Sequence, residues 1–251
     1  MIDTHCHLED FKDIDTVIEK MQDGIIIISG SSGKTNKFVV ETVSKYPNVY
    51  GTIGIHPEEV EKYSEEDLID LENHLNDPKI VGLGEVGLDY HYSRENIEKQ
   101  KDLFQKQINL ARKYHKTLVI HSRDAALDTY NILKEANLEG HKIVLHCYGY
   151  SASMAKRFLE FNVMFGIGGV VTFKNGIKLG EVVKDINIDR LLLETDSPYL
   201  SPEPFRGKRN EPYNVYFVAC KIAQIKEIPL KMVLKRTTEN AIRQFDLPSK
   251  V

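Results

Sequence analysis

Short runs of apolar, mostly β-branched residues recur along the chain, and stretches with helical periodicity separate them. The clearest run covers 24–29, where four isoleucines in a row give the continuous apolar character of a parallel strand covered on both faces. Similar runs predict strands at 1–7, 49–54, 80–85, 117–121, 143–146, 163–166 and 191–195. The pattern therefore predicts eight strands in all.

Helical periodicity fills most of the intervals between these strands. Ser64 and Asp67 have the spacing of a capping box, and an apolar stripe follows at Leu68, Leu71 and Leu75. Other stripes predict helices around 103–115, 127–134, 154–158 and 215–225, and a final helix that begins at Pro229. Because no linker, repeat or low-complexity segment interrupts the alternation, we expect a single domain over residues 1–251.

Strands that alternate with helices predict an α/β protein with a parallel sheet. Eight such units over 251 residues match the length and rhythm of a (β/α)8 TIM barrel. A doubly wound open sheet would show the same periodicity, so the apolar pattern alone does not choose between the two architectures. The positions of the polar residues decide the choice.

Potential metal ligands collect at one end of the predicted strands. His5 and His7 lie two positions apart on an extended strand, so both imidazoles can point to one face. The C-terminal ends of five strands carry six such residues in total: His5, His7, Glu85, His121, His146 and Asp196. One charged residue in such a place is usually only solvated, but the coincidence predicts a metal site at the catalytic end of a barrel. Imidazole and carboxylate ligands suit Zn²⁺, Mn²⁺ or Co²⁺.

The composition is that of an ordinary globular protein, with 41% hydrophobic and 28% charged residues. The net charge of −4 argues against coating of nucleic acid by bulk electrostatics, although a nuclease that grips a few phosphates remains compatible with it. We expect no membrane segment, because no apolar run approaches about 20 residues. We also expect no signal peptide, because the acidic N-terminus leads directly into the first strand. Three cysteines without a CxxC motif favour a reducing compartment, so we expect a cytoplasmic location.

Several long motifs resemble those of the TatD-type metal-dependent hydrolases, and the likeness runs from residue 3 to the final helix. They are Asp3-Thr4-His5-Cys6-His7, Gly84-Glu85-Val86-Gly87-Leu88-Asp89-Tyr90, His121-Ser122-Arg123-Asp124-Ala125, Val171-Thr172-Phe173-Lys174-Asn175, Glu194-Thr195-Asp196-Ser197-Pro198-Tyr199-Leu200 and Arg206-Gly207-Lys208-Arg209-Asn210-Glu211-Pro212. The resemblance implies an amidohydrolase-like barrel with a binuclear site of two divalent ions (Zn, Mn, Mg or Co). It also implies deoxyribonuclease activity, often 3′ to 5′ on single strands.

The resemblance also implies roles for individual residues. One ion would be held by His5, His7, Glu85 and Asp196, and the second by His121 and His146, with Glu85 bridging. The family usually continues its sixth-strand histidine with Cys-Phe-Ser-Gly, whereas this chain has Cys147-Tyr148-Gly149-Tyr150. This departure puts the substrate contacts of that loop in doubt.

A metal-activated water would attack the phosphate, and two ions would clamp it. Asp196 is the expected proton acceptor, and Glu194 is expected to orient a metal ligand or to be a plain strand-end carboxylate. Planar guanidinium groups suit a phosphodiester, so we expect substrate contacts from Arg123, Arg206 and Arg209. We also expect contacts from Lys208, in the same loop after the eighth strand, and from His56, at the end of the third strand. For the basic loop the alternative is a solvated segment that contacts no substrate.

Two further functions are compatible with the same residues. One is an amidohydrolase-type hydrolase of esters, lactones or aminoacyl-tRNA esters; Glu85 stands where that wider group often has a carbamylated lysine, which favours the nuclease. The other is a non-catalytic module that binds metal or nucleic acid, which the retained Asp196 argues against. We expect DNA or another phosphodiester as a transient partner, and no obligate protein partner.

Overall fold

The computed structural model describes residues 1–248. Its eight strands lie in an eight-stranded sheet whose order follows the chain. The strands are β1 (Ile2–Cys6), β2 (Ile25–Ser29), β3 (Val49–Ile53), β4 (Ile80–Asp89), β5 (Thr117–Arg123), β6 (Ile143–Leu145), β7 (Val163–Ile167) and β8 (Leu191–Leu193). Every residue of β1, β2 and β4 is buried, as the continuous apolar runs predict for strands covered on both faces.

Helices follow the strands along the chain. They are α1 (Ile14–Glu19), α2 (Gly33–Val43), α3 (Glu65–His74), α4 (Ile97–Lys113), α5 (Ala126–Glu135), α6 (Ala152–Phe158), α7 (Ile177–Asp185), α8 (Val215–Lys226) and α9 (Leu230–Phe245). The capping box predicted at Ser64 is present, with both reciprocal hydrogen bonds to Asp67. In residues 1–248 no helix combines the length and the apolar character needed to cross a membrane.

The described chain divides into two compact units. Unit 1 comprises Met1–Ile28, Cys147–Leu159 and the described part of Met164–Val251, and unit 2 comprises Ser29–His146 and Glu160–Val163. In unit 1, β7 and β8 pair in parallel register, and β1 pairs with β2. In unit 2, β3, β4, β5 and β6 pair in parallel, each with the next. The prediction of a single domain stays a prediction, and its last three residues lie outside the described part.

Two strands run further than the sequence predicts. Glu85 was expected to end β4, but it lies inside that strand, which continues to Asp89. The pairing of β4 with β5 shifts register between Leu83 and Val86, so the irregular step falls at Glu85. Likewise β5 continues to Arg123 past His121. The strand-end positions expected for Glu85 and His121 are therefore wrong by several residues, because the sheet continues past the polar side chains.

Candidate functional site

The first cluster of candidate ligands lies in unit 1 and consists of His5, His7 and Asp196. The imidazoles of His5 and His7 lie on the same side of the chain, with ring centroids 5.1 Å apart. Oδ1 of Asp196 lies 3.4 Å from Nε2 of His7 and 3.9 Å from Nε2 of His5. His5 is fully buried and His7 is 8% exposed, so donor atoms of all three side chains converge beneath the surface.

The backbone fixes where Asp196 stands. Its amide donates to the carbonyl of His5 at 2.9 Å, and the amide of His7 donates to the carbonyl of Ser197 at 2.8 Å. Asp196 itself has a left-handed φ of 54°, a conformation that aspartate tolerates better than most residues. The chain after β8 is thus tied to the end of β1 on both sides of the carboxylate.

A buried carboxylate on β1 strengthens this tie. Asp3 accepts from the amide of Thr195 at 2.9 Å and from its hydroxyl at 2.6 Å. Burial raises the pKa of Asp3 well above its ordinary value, although the hydrogen bonds from Thr195 oppose that rise. No role was predicted for Asp3, although β-strand alternation places it on the same face as His5 and could have indicated one.

A tyrosine joins the first cluster to the basic loop that follows. The hydroxyl of Tyr199 donates to the carboxylate of Asp10 at 2.7 Å, and its ring lies 6.2 Å from that of His7. The hydrogen bond to Asp10, together with burial, raises the pKa of Tyr199 to about 12. Arg209 donates to the carbonyl of Asp10, so the expected basic residue at this position lies one contact away from Tyr199.

The second cluster lies in unit 2 and consists of His56, Glu85, His121 and His146. Oε1 of Glu85 lies 2.7 Å from Nε2 of His146, 3.0 Å from Nδ1 of His121 and 3.5 Å from Nε2 of His56. Burial opposes ionisation of Glu85, but the charges of His146 and His56 outweigh it and hold the pKa of Glu85 well below its ordinary value. One buried carboxylate is therefore ringed by three imidazoles.

Asp89 orients one of these imidazoles. Its Oδ2 lies 2.8 Å from Nε2 of His121, so the Nε2–H bond points at Asp89 and Nδ1 faces Glu85. Burial works against a charged His121, but its contacts with Asp89 and Glu85 prevail and raise the pKa of His121 to about 9. No role was predicted for Asp89. Its even spacing from Glu85 on one strand could have indicated that the two side chains lie on the same face.

Both clusters have donor sets that fit a divalent metal ion. In the triplets His5, His7, Asp196 and His56, Glu85, His121, the donor atoms lie within 4.8 Å of one another. Donors that a tetrahedral ion holds at about 2.1 Å lie roughly 3.4 Å apart. The 3.4 Å between His7 and Asp196 matches that spacing. In the second cluster the contacts to Glu85 of 2.7 and 3.0 Å have to widen slightly.

The residues expected to bind substrate occupy three different settings. His56 stands within the second cluster, with its ring 4.5 Å from that of His121, so it belongs with the candidate ligands as much as with substrate contacts. Arg123 is exposed and its guanidinium lies 5.0 Å above the ring of Tyr92. Arg206, Lys208 and Arg209 are also exposed, and each lies over a phenylalanine ring.

A hydrogen bond joins Glu194 to the backbone of Cys147. Glu194 is fully buried and accepts a hydrogen bond of 2.5 Å from the backbone amide of Cys147, the residue after His146. Cys147 is half-buried and lines a cavity. Its left-handed φ of 43° shows that the chain does not continue β6 with regular strand alternation.

The chain is similar in sequence and in fold to known proteins. The family model described as TatD related DNase matches residues 2–246. An uncharacterized metal-dependent hydrolase of Bacillus subtilis strain 168, YabD, is 41% identical over 251 residues and covers 98% of each chain. The crystal structure of YJJV, a TatD homolog from Escherichia coli, has a TM-score of 0.93 at 28% identity, over 99% of this chain and 98% of that chain.

A further solved structure, a TatD family hydrolase from Entamoeba histolytica, has a TM-score of 0.86 at 25% identity and covers 99% of this chain and 98% of its own. The eight parallel strands with intervening helices and these likenesses define the class, a (β/α)8 barrel of the metal-dependent hydrolase type. The chain belongs to the TatD family. The family resemblance and the barrel predicted from the sequence are both confirmed.

Proposed function

We propose that this protein is a metal-dependent phosphodiesterase that acts as a deoxyribonuclease, cleaving from the 3′ end. The observation that carries the proposal is the second cluster, where one buried carboxylate faces three imidazoles. A donor set of imidazoles and a carboxylate suits a borderline divalent cation. The first cluster supplies a second donor set of the same chemistry, so we propose one divalent ion in each cluster.

The residues of the chain would share the chemistry as follows. A divalent ion, when bound, lowers the pKa of a water molecule and neutralises charge on a phosphate. Asp196 accepts a proton from that water and later returns it to the leaving oxygen. The carboxylate of Asp196 lies 3.4 Å from Nε2 of His7 and 3.9 Å from Nε2 of His5, so the proton acceptor stands among the candidate metal ligands.

Other side chains hold the ligands in place. Asp89 accepts the Nε2–H of His121, so Nδ1 is the nitrogen that would hold a metal ion once the ion has displaced its proton. Burial raises the pKa of Asp89, but the hydrogen bonds from His121 and from the backbone amide of His91 outweigh that effect and hold the pKa below its ordinary value. The pKa of Glu85 lies well below its ordinary value, so its carboxylate is ionised at neutral pH and can hold a metal ion. A bridging role for Glu85 stays a prediction from the family resemblance.

The test is hydrolysis of a single-stranded oligonucleotide labelled at its 3′ end. Activity should disappear after dialysis against a chelator and return with Mn²⁺ or Mg²⁺. Glu85→Ala and Asp196→Asn should both abolish the reconstituted activity. If both variants keep the activity of the parent, the cleavage came from a contaminant and the proposal fails.

The same assay series separates the alternatives. Hydrolysis of lactones or aminoacyl esters far faster than DNA would indicate an ester hydrolase built on the same clusters. Metal and DNA affinity without turnover under any metal would indicate a binding module. A cytoplasmic location and the absence of an obligate protein partner stay predictions.

A further inference from the structure

Unit 1 contains a cavity that none of the roles above uses. Its volume is about 240 Å³. Its wall includes Cys147, Tyr148, Gly149, Gly168, Val170 and Leu179, and we call it the glycine-walled cavity. Three of its wall residues belong to the segment after His146 in which this chain departs from the usual family motif.

Three glycines, Gly149, Gly168 and Gly176, line this cavity, and the first two have room for a Cβ atom. A Cβ atom built on Gly168 would have its nearest neighbours, atoms of Glu194, 3.8 Å away, and one on Gly149 would lie 3.8 Å from the carbonyl of Cys147. Gly168 has φ −105° and ψ −169°, which any residue can adopt. Gly166, by contrast, has the carboxylate of Glu194 packed where its side chain would start. The backbone therefore does not require glycine at 168, and the missing side chain leaves space.

Two wall residues of the cavity contact Glu194. The amide of Cys147 in the cavity wall donates to the Glu194 carboxylate, and Gly168 lies against the same side chain. Glu194 is two residues before Asp196. An occupant of the cavity would thus lie next to the segment that carries the proton acceptor.

The lining indicates the kind of occupant. Apolar groups form most of the wall, and an engineered apolar cavity of about 150 Å³ already binds benzene. Asn175 and Lys178 also line it, and they supply an amide and an ammonium group. An amide of asparagine pairs with the edge of a base, and an ammonium group attracts a phosphate.

From these observations we propose that the glycine-walled cavity is a nucleobase subsite, which receives the base of a nucleotide next to the cleaved bond. The proposal rests on the proposed function, because it names how a nucleic-acid substrate is held. Apolar walls face the planar surfaces of the base, Asn175 meets its polar edge, and Lys178 lies near a neighbouring phosphate. The subsite would thus read a base as well as a backbone.

A cavity-filling variant tests the assignment. Gly168→Ala should raise KM for a single-stranded oligonucleotide at least about fivefold, the lower end of the value of one stacked base. With an oligonucleotide whose 3′-terminal residues are abasic, the variant and the parent should have the same KM. The matched control is Gly180→Ala in α7, where a Cβ also has room, 3.9 Å from Ile225, but which is not part of the cavity. Equal losses on both substrates for Gly168→Ala would overturn the proposal.

A second readout needs no turnover and separates this proposal from the proposed function. In chelator, the Cys147 thiolate should add to N-ethylmaleimide, its sulfur bonding to one alkene carbon while the other takes a proton. Half-buried Cys220 is the internal reference, and buried Cys6 should not react. 2′-Deoxyadenosine 5′-monophosphate should slow the labelling of Cys147 at least about fivefold, whereas 2-deoxyribose 5-phosphate, which lacks the base, should not. Failure of Cys147 to react, or equal protection by both phosphates, would overturn the subsite even if the enzyme cleaves DNA.

Discussion

The two clusters contain similar side chains but hold their carboxylates differently. In the second cluster Glu85 lies 2.7 to 3.5 Å from three imidazoles, and Asp89 fixes one of them from behind. In the first cluster Asp196 stands 3.4 and 3.9 Å from two imidazoles and is placed by backbone hydrogen bonds. The three imidazoles around Glu85 suit retention of a metal ion. Proton transfer by Asp196 stays the role proposed above.

The largest effect is expected where the tighter carboxylate is lost. Glu85→Ala leaves three imidazoles without their shared anion, so the second cluster should lose its ion and hydrolysis should fall at least about 1000-fold. Metal content and the initial rate on the labelled oligonucleotide measure both losses. Glu41→Ala, an exposed carboxylate on α2, is the control and should match the parent. Full metal content in Glu85→Ala would break the assignment.

Asp196→Asn should reduce the rate of hydrolysis without removing the metal ion from the first cluster. The amide keeps an oxygen ligand but cannot take a proton, so the rate should fall roughly 100- to 10,000-fold while the first cluster retains its ion. The measurement is kcat beside metal content on the same preparation. Loss of metal in proportion to loss of rate would mean that Asp196 is only a ligand.

Asp89→Asn should weaken the second cluster alone. Removing the anion behind His121 should lower metal affinity about 10- to 100-fold. Competition with a chromophoric chelator measures this affinity. Asp124→Asn, an exposed neighbour that contacts His91 instead, provides the matched control. Equal metal affinities in Asp89→Asn and Asp124→Asn would show that Asp89 does not support metal binding through His121.

We expect the metal affinity of the second cluster to depend on pH. Metal binds deprotonated imidazole, and the pKa of His121 is raised to about 9 in the metal-free protein. Below that pH, binding at His121 displaces a proton, so affinity should rise about tenfold per pH unit and level off near pH 9. Glu85 is ionised throughout and adds no proton. Chelator competition between pH 6 and 8.5 tests this, and a pH-independent affinity would contradict it.

Much of the fold is predictable because parallel strands are buried on both faces. Continuous apolar runs such as Ile25–Ser29 then mark the strands directly. Helix α2 was missed because its inner face is partly polar: buried Asn36 exchanges two hydrogen bonds with the backbone of Gly54. A pattern of apolar residues does not show a helix that is anchored in this way.

The candidate ligands were predictable as a set, but their grouping was not. The predicted fourth strand ended at Glu85, whereas β4 continues through Gly87 to Asp89. At Gly87 the missing side chain lets β4 approach the carbonyl of His121 closely. Asp89 therefore went without a role until its contact with His121 was seen. Likewise the placing of His56 against Glu85 depends on side-chain positions that sequence spacing does not determine.

The claim that each cluster holds one divalent ion is tested most directly by titrating the metal-free protein with Mn²⁺ or Zn²⁺ in a calorimeter. The parent should bind two ions per chain, and the double variant His5→Ala/His7→Ala should bind one while its circular dichroism spectrum stays that of the folded parent. Glu85→Ala should likewise lose one ion. Two ions bound by the His5→Ala/His7→Ala variant, or no specific binding by the parent, would contradict the account.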